Sequence, residues 1–154
     1  MKLALIFCAV SCLPTSLYAQ AQTNVKIVSG GAGSDLCLDI RGDKRADGTQ
    51  VQVWTCHGRE NQRWTIKPLG GGASAIEGEG FCMDVRGAKA ASGTPVQIWK
   101  CHYKENQRFI IGSEGQIKEE GTGQCLELAE GKPGAPIIIG PCRSTAAQAW
   151  KIER

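Results

Sequence analysis

A chain of 154 residues is about one domain long, and its Lys and Arg outnumber its Asp and Glu by only 18 to 15. The cations are scattered, with no basic block, so charge excludes an electrostatic nucleic-acid footprint. The apolar run near the N-terminus is shorter than the roughly 20 residues a membrane-spanning helix needs.

That run belongs to a leader. Lys2 supplies a positive start, Leu3 to Val10 is apolar around Cys8, and Pro14 and small residues follow. Ala19-Gln20-Ala21 fits the small-x-small cleavage pattern of a secretory signal peptide, so residues 1–21 are expected to be removed after Ala19 or Ala21. Ala9-Val10-Ser11-Cys12 offers a weaker alternative, a lipid anchor through Cys12. The mature chain, 22–154, then loses one cation, Lys2, and carries 17 Lys and Arg against 15 Asp and Glu. It is expected to be secreted or periplasmic.

Downstream, Leu38 and Ile40 alternate with Cys37, Asp39 and Arg41, and Val51 and Val53 alternate with Gln52, Trp54 and Cys56. Period two predicts two strands, and Asp47-Gly48 between them predicts the turn of a hairpin. The same pattern returns at an offset of 45, from Cys82 to Ile111, with Ser92-Gly93 as its turn. A shorter, divergent third copy runs from Cys125 to Ile152. Gly70-Gly71-Gly72 reads as a flexible connection between copies; no strand-to-helix setting makes it a phosphate loop. The repeats span about 24–67, 68–112 and 113–154. A threefold β repeat of this length predicts an all-β fold, a β-trefoil with about four short strands per copy; a repeat array would want more copies and caps.

Six cysteines remain after the leader, 19, 19 and 17 residues apart within the copies. Pairing inside each copy is the simplest choice: Cys37 with Cys56, Cys82 with Cys101, and Cys125 with Cys142. If Cys37 and Cys56 oppose each other across the hairpin, Asp39 falls opposite Trp54 and Arg41 opposite Gln52, while Leu38, Ile40, Val51 and Val53 face the core. The same register sets Asp84 opposite Trp99 and Glu127 opposite Gly140. A carboxylate beside an exposed indole suits a sugar: the acid accepts hydrogen bonds from hydroxyls, and the flat ring covers a C–H face. Asn61 and Asn106 add amide groups, and His57 and His102 stand where they reach the rim or merely the surface.

The order Cys-x-Asp, Gln-x-Trp-x-Cys, Asn-Gln-x-Trp resembles the ricin B-type lectins. Copy one matches at Cys37, Asp39, Gln52, Trp54, Cys56, Asn61, Gln62 and Trp64; copy two matches from Cys82 to Gln107 with Phe109 for the last Trp. The resemblance implies a β-trefoil with one potential sugar pocket per repeat, in which the Asp binds hydroxyls, the aromatic stacks and the Asn assists. Carried over, this gives Asp39, Trp54 and Asn61, then Asp84, Trp99 and Asn106. Gln52 and Gln97 either touch sugar or support the Asp. Copy three has Glu127, Ile138, Gly140 and Ala147 at the corresponding places and keeps only Gln148 and Trp150. Its pocket is expected to be lost, and what it keeps, Gln62, Trp64, Gln107, Phe109, Gln148 and Trp150, to be structural.

Catalysis finds little support. No second acid recurs beside either Asp, as a glycosidase would need, and no Gly-x-Ser-x-Gly elbow is present. No cofactor is implied, and oxidised thiols with two histidines a repeat apart imply no metal. The expected function is a secreted carbohydrate-binding module, not an enzyme, for galactose-type or xylan-type glycans. The alternative is a protein-interaction trefoil, such as a toxin-associated subunit or an inhibitor. Any toxin or enzyme partner would be a separate polypeptide.

Overall fold

The computed structural model describes residues 20–31, 35–87 and 91–154. The expected leader, with Cys8 and Cys12, lies outside the described residues, apart from Gln20 and Ala21.

Among the described residues twelve strands follow one another, four to each copy. Copy one holds β1 (Gln22–Ser29), β2 (Leu36–Ile40), β3 (Thr49–Thr55) and β4 (Trp64–Gly70). Copy two holds β5 (Ala73–Gly78), β6 (Phe81–Val85), β7 (Val96–Trp99) and β8 (Phe109–Ile111). Copy three holds β9 (Ile117–Glu119), β10 (Cys125–Leu128), β11 (Ile137–Gly140) and β12 (Trp150–Glu153). Strands β1, β4, β5, β8 and β9 pair in turn, antiparallel, and β12 returns to β1 to close a barrel. The hairpins β2–β3, β6–β7 and β10–β11 stand off this barrel as a triplet. Among the described residues no helix is long and apolar enough to cross a membrane.

Three turn glycines lock the triplet together. Gly48, Gly93 and Gly134 have φ of 84°, 88° and 87°, a backbone region open to glycine and costly for other residues. Each sends its N–H to the carbonyl of a strand in another copy: Gly48 to Ile98 at 2.9 Å, Gly93 to Ile139 at 2.7 Å and Gly134 to Val53 at 2.7 Å. The hairpin tips therefore hold one another in a cycle.

The alternation read from sequence places the core. Leu38, Ile40, Val51 and Val53 are buried, as are Met83, Val85, Val96 and Ile98, and Leu126, Leu128, Ile137 and Ile139. Trp64, Phe109 and Trp150 join them, one large ring per copy. The indole N–H of Trp64 donates to Leu38 O and that of Trp150 to Leu126 O, both at 3.1 Å. Phe109, which carries no donor, packs in the same place without that bond.

All three disulfides form within copies, with Cα–Cα separations of 5.1, 5.0 and 5.0 Å. The hairpin register nonetheless differs from the expected one by two residues. Cys37 opposes Trp54 and Asp39 opposes Gln52; Cys82 opposes Trp99 and Asp84 opposes Gln97; Cys125 opposes Gly140 and Glu127 opposes Ile138. The physical reason is that β3 ends at Thr55, before Cys56. Cys56 lies one residue beyond β3, its N–H donating to Asp35 O at 2.8 Å in that same shifted register, and its sulfur reaches Cys37 without cross-strand opposition. A shift of two preserves which face each side chain occupies, so the core assignment is unaffected.

Gly70-Gly71-Gly72 is also not a flexible connection. Gly70 pairs with Ala73, and Gly71 and Gly72, at φ of 63° and 83°, form the two-residue turn of the β4–β5 hairpin.

Candidate functional site

Asp39 lies at the end of β2, only 2% exposed. A buried carboxylate needs partners, and side-chain amides provide them. Gln52 Nε2 donates to Oδ1 at 2.9 Å, while Asn61 Nδ2 at 2.9 Å and Gln62 Nε2 at 3.0 Å donate to Oδ2. An ionised carboxylate offers about four acceptor positions, so the open one is on Oδ1. Asn61 spends its second donor hydrogen on Ile40 O at 3.2 Å, which leaves Oδ1 as its remaining polar atom. Gln62 is a bridge: its Nε2 also donates to Thr55 O, and its Oε1 accepts from the N–H groups of His57 and Gly58. The turn Glu60–Gln62 thus fixes Asn61 and Gln62 beneath the acid.

Copy two repeats this arrangement. Asp84 accepts from Gln97 at 3.0 Å, Asn106 at 2.9 Å and Gln107 at 2.9 Å, and Gln107 bridges to Lys100 O and to the N–H groups of His102 and Tyr103. Arg41 and Arg86 do not pair with the acids. Arg41 donates to Gln50 Oε1 and Arg86 to Gln97 Oε1.

Beside each acid is a cavity with an indole wall. Asp39, Gln52, Trp54, His57 and Asn61 line one of about 480 Å³. Asp84, Gln97, Trp99, His102 and Asn106 line another of about 570 Å³. Trp54 is 44% exposed, whereas Trp99 is half-buried. Expected as an exposed acid beside an exposed ring, the site is a sunken carboxylate under a ring standing at the rim. In each His the Nδ1 accepts a backbone N–H, from Arg59 or Lys104, and leaves Nε2 as the other ring nitrogen. That Nε2 faces the acid's Oδ2 at 3.6 Å in both copies, beyond hydrogen-bond reach.

Copy three differs at the acid and at the ring. Glu127 Oε2 accepts from Gln148 Nε2 at 2.7 Å and sits over Gly140, where an added Cβ would come within 2.6 Å of it. Gly140 occupies the strand position of Trp54 and Trp99, so the longer acid fills the space that a ring would border. Gln148 keeps its bridging bonds, to Arg143 N–H and Pro141 O.

A family model for the ricin-type beta-trefoil lectin domain matches residues 23–150. The chain belongs to that family. The ricin-type lectin domain is a binding module rather than a catalytic one. Among solved structures, the designed threefold-symmetric protein ThreeFoil is 22% identical, with a TM-score of 0.80, covering 84% of this chain and 97% of its own. The agglutinin of Abrus precatorius is 23% identical, TM-score 0.76, over 93% of this chain. A non-toxic homologue of type II RIPs from Momordica charantia, solved with alpha-methyl-D-galactoside, is 25% identical, TM-score 0.74, over 87% of this chain. This lectin domain spans 51% and 48% of the two plant chains.

Two kinds of cavity-lining residue escaped the sequence reading. Arg41 and Arg59, and Arg86 and Lys104, recur at the same offset of 45 as the motif, a signal that was available. Gly134 and Gly48 come from a different copy. Gly134 backs Trp54, an added Cβ meeting its ring at 3.5 Å, and Gly48 backs Trp99 at 3.7 Å. No local motif announces a contact between copies.

Proposed function

We propose that this lectin domain binds sugars in two pockets, one under Trp54 and one under Trp99, and that the third lobe serves the fold alone. The observation that carries this reading is the repeated amide cage. It holds a carboxylate aimed, with one acceptor position free, next to an aromatic wall, and it does so twice. Ring stacking supplies the apolar contact and the carboxylate supplies hydroxyl recognition. Galactose-type sugars are the first candidates, because the Momordica charantia homologue was solved with a galactoside. A shallow single-sugar pocket of this kind binds in the millimolar range, about −4 kcal/mol. The three disulfides suit an oxidising compartment, in line with export by the leader and a mature domain beginning near residue 22.

The test is a double variant, Trp54→Ala with Trp99→Ala. Both rings stand at cavity rims, so circular dichroism should show an intact fold while glycan-array binding disappears. A folded double variant that still binds its glycans would reject these platforms.

A further inference from the structure

We infer that the second-copy cavity takes a sugar carrying an anionic group, a carboxylate or a sulfate. This rests on the two-pocket reading and names the ligand class of one pocket. Arg86 and Lys104 line that cavity together with Asp84, its sole acidic wall residue among the described ones. Asp84 is 2% exposed and already holds three amides, so it contributes little to the charge a ligand meets at the rim. Arg86 is oriented by its Nε bond to Gln97 Oε1 at 3.2 Å, which leaves its terminal nitrogens without a protein acceptor among the described residues. Lys104 likewise has no side-chain partner there. A guanidinium held in this way is suited to a bidentate anion.

Two comparisons inside the molecule separate this from ordinary surface charge. At the positions of Arg86 and Lys104 the third copy has Ala129 and Thr145, so both cations are missing from the copy that also lacks the ring. The first copy keeps both, as Arg41 and Arg59, but its cavity adds Asp43, whose side chain is 60% exposed. The second copy has Ala88 at that place in sequence. Among the described residues the first cavity's wall is therefore balanced, two cations against two acids, and the second carries one net positive charge. The two pockets should differ in ligand: the first suits neutral sugar and the second suits acidic sugar.

The experiment uses the full disulfide-bonded chain with Trp54→Ala, which leaves the second cavity alone. It is applied to an array bearing each glycan in matched neutral, uronic and sulfated forms, with calorimetry on the best set. Exposed charge contacts contribute modestly and are screened by salt. The expected preference for an acidic form is therefore about tenfold, falling several-fold between 50 mM and 300 mM salt. The carboxylated and sulfated arms identify which anion is read. Arg86→Gln with Lys104→Gln, added to that background, should abolish the preference and leave neutral-sugar binding. Equal binding of all three forms, or a preference that survives loss of both cations, overturns the inference and leaves the sugar pocket standing. If folded Trp54→Ala binds no glycan while Trp99→Ala still does, the second pocket itself falls, and this inference with it.

Discussion

The three amide donors around Asp39 are in place before any ligand arrives. Gln52, Asn61 and Gln62 all present N–H groups to its oxygens, so the position demands an acceptor at both ends of the carboxylate. Asp39→Asn keeps the shape but turns one acceptor into a donor facing a donor. A buried polar group left unsatisfied costs about 1–3 kcal/mol, and urea unfolding should show a loss in that range. Binding at the first pocket should vanish as well, with the second unaffected. A stability equal to wild type would contradict the cage. Much of this residue-level picture was legible in sequence: the Asp, the Trp and the Asn recur at one offset, and alternation put Trp54 on the face opposite Val51 and Val53. What period two could not supply was the register. Taking the cysteines as opposed placed Asp39 across from Trp54, whereas the ladder stops at Thr55 and sets Gln52 across from the acid. In the true register Gln52 and Gln97 are each the acid's cross-strand hydrogen-bond partner, the supporting role that the sequence left open beside sugar contact.

Among elements, the hairpins were readable and their mutual docking was not. Asp47-Gly48 and Ser92-Gly93 marked turns, yet nothing local says that each turn's N–H bonds a strand of another copy. The third copy lost its Asp-Gly or Ser-Gly signal, but Gly134 keeps the same backbone region and the same bond. Gly134→Ala should cost about 1 kcal/mol, since a side chain at this positive φ is strained. The tip also backs Trp54, which the new methyl would touch at an ordinary 3.5 Å, so on the proposed reading a strained tip should lower sugar affinity at the first pocket only. Thermal unfolding together with titration of the Trp99→Ala background checks both effects. Unchanged affinity in that background would mean that the hairpin tip does not shape the pocket.

At the scale of the whole molecule, the threefold repeat was the strongest message in the sequence, and the closed barrel with its three stapled lobes follows from it. The charged contacts between lobes carried no such message. Glu79, in the β5–β6 turn at φ 53°, has a side chain only 3% exposed, and Arg45 of the first copy approaches it at 2.7 Å. Burial pushes its carboxyl above the ordinary value, and neighbouring Asp43 adds to the rise, while Arg45 opposes it. The folded state thus holds this proton to higher pH than the unfolded chain. The stabilisation from Glu79 is present in acid, below the unfolded value, and is lost as pH rises through the folded one. Replacing it by Gln removes the penalty of ionising in place, so Glu79→Gln should raise the Tm relative to wild type more at pH 7 than at pH 4. A difference that is flat with pH, or larger in acid, contradicts this reading.

The proposed sugar binding depends on two lobes that set an indole beside the acid and one that does not. The direct measurement is a crystal structure of the oxidised mature domain soaked with a sugar that it binds. Density for one ring against Trp54 and one against Trp99, each with a hydroxyl on the Asp39 or Asp84 carboxylate, and none at Glu127 and Gly140, is the expected result. Sugar seated on the third lobe, or bound away from both indoles, would contradict it.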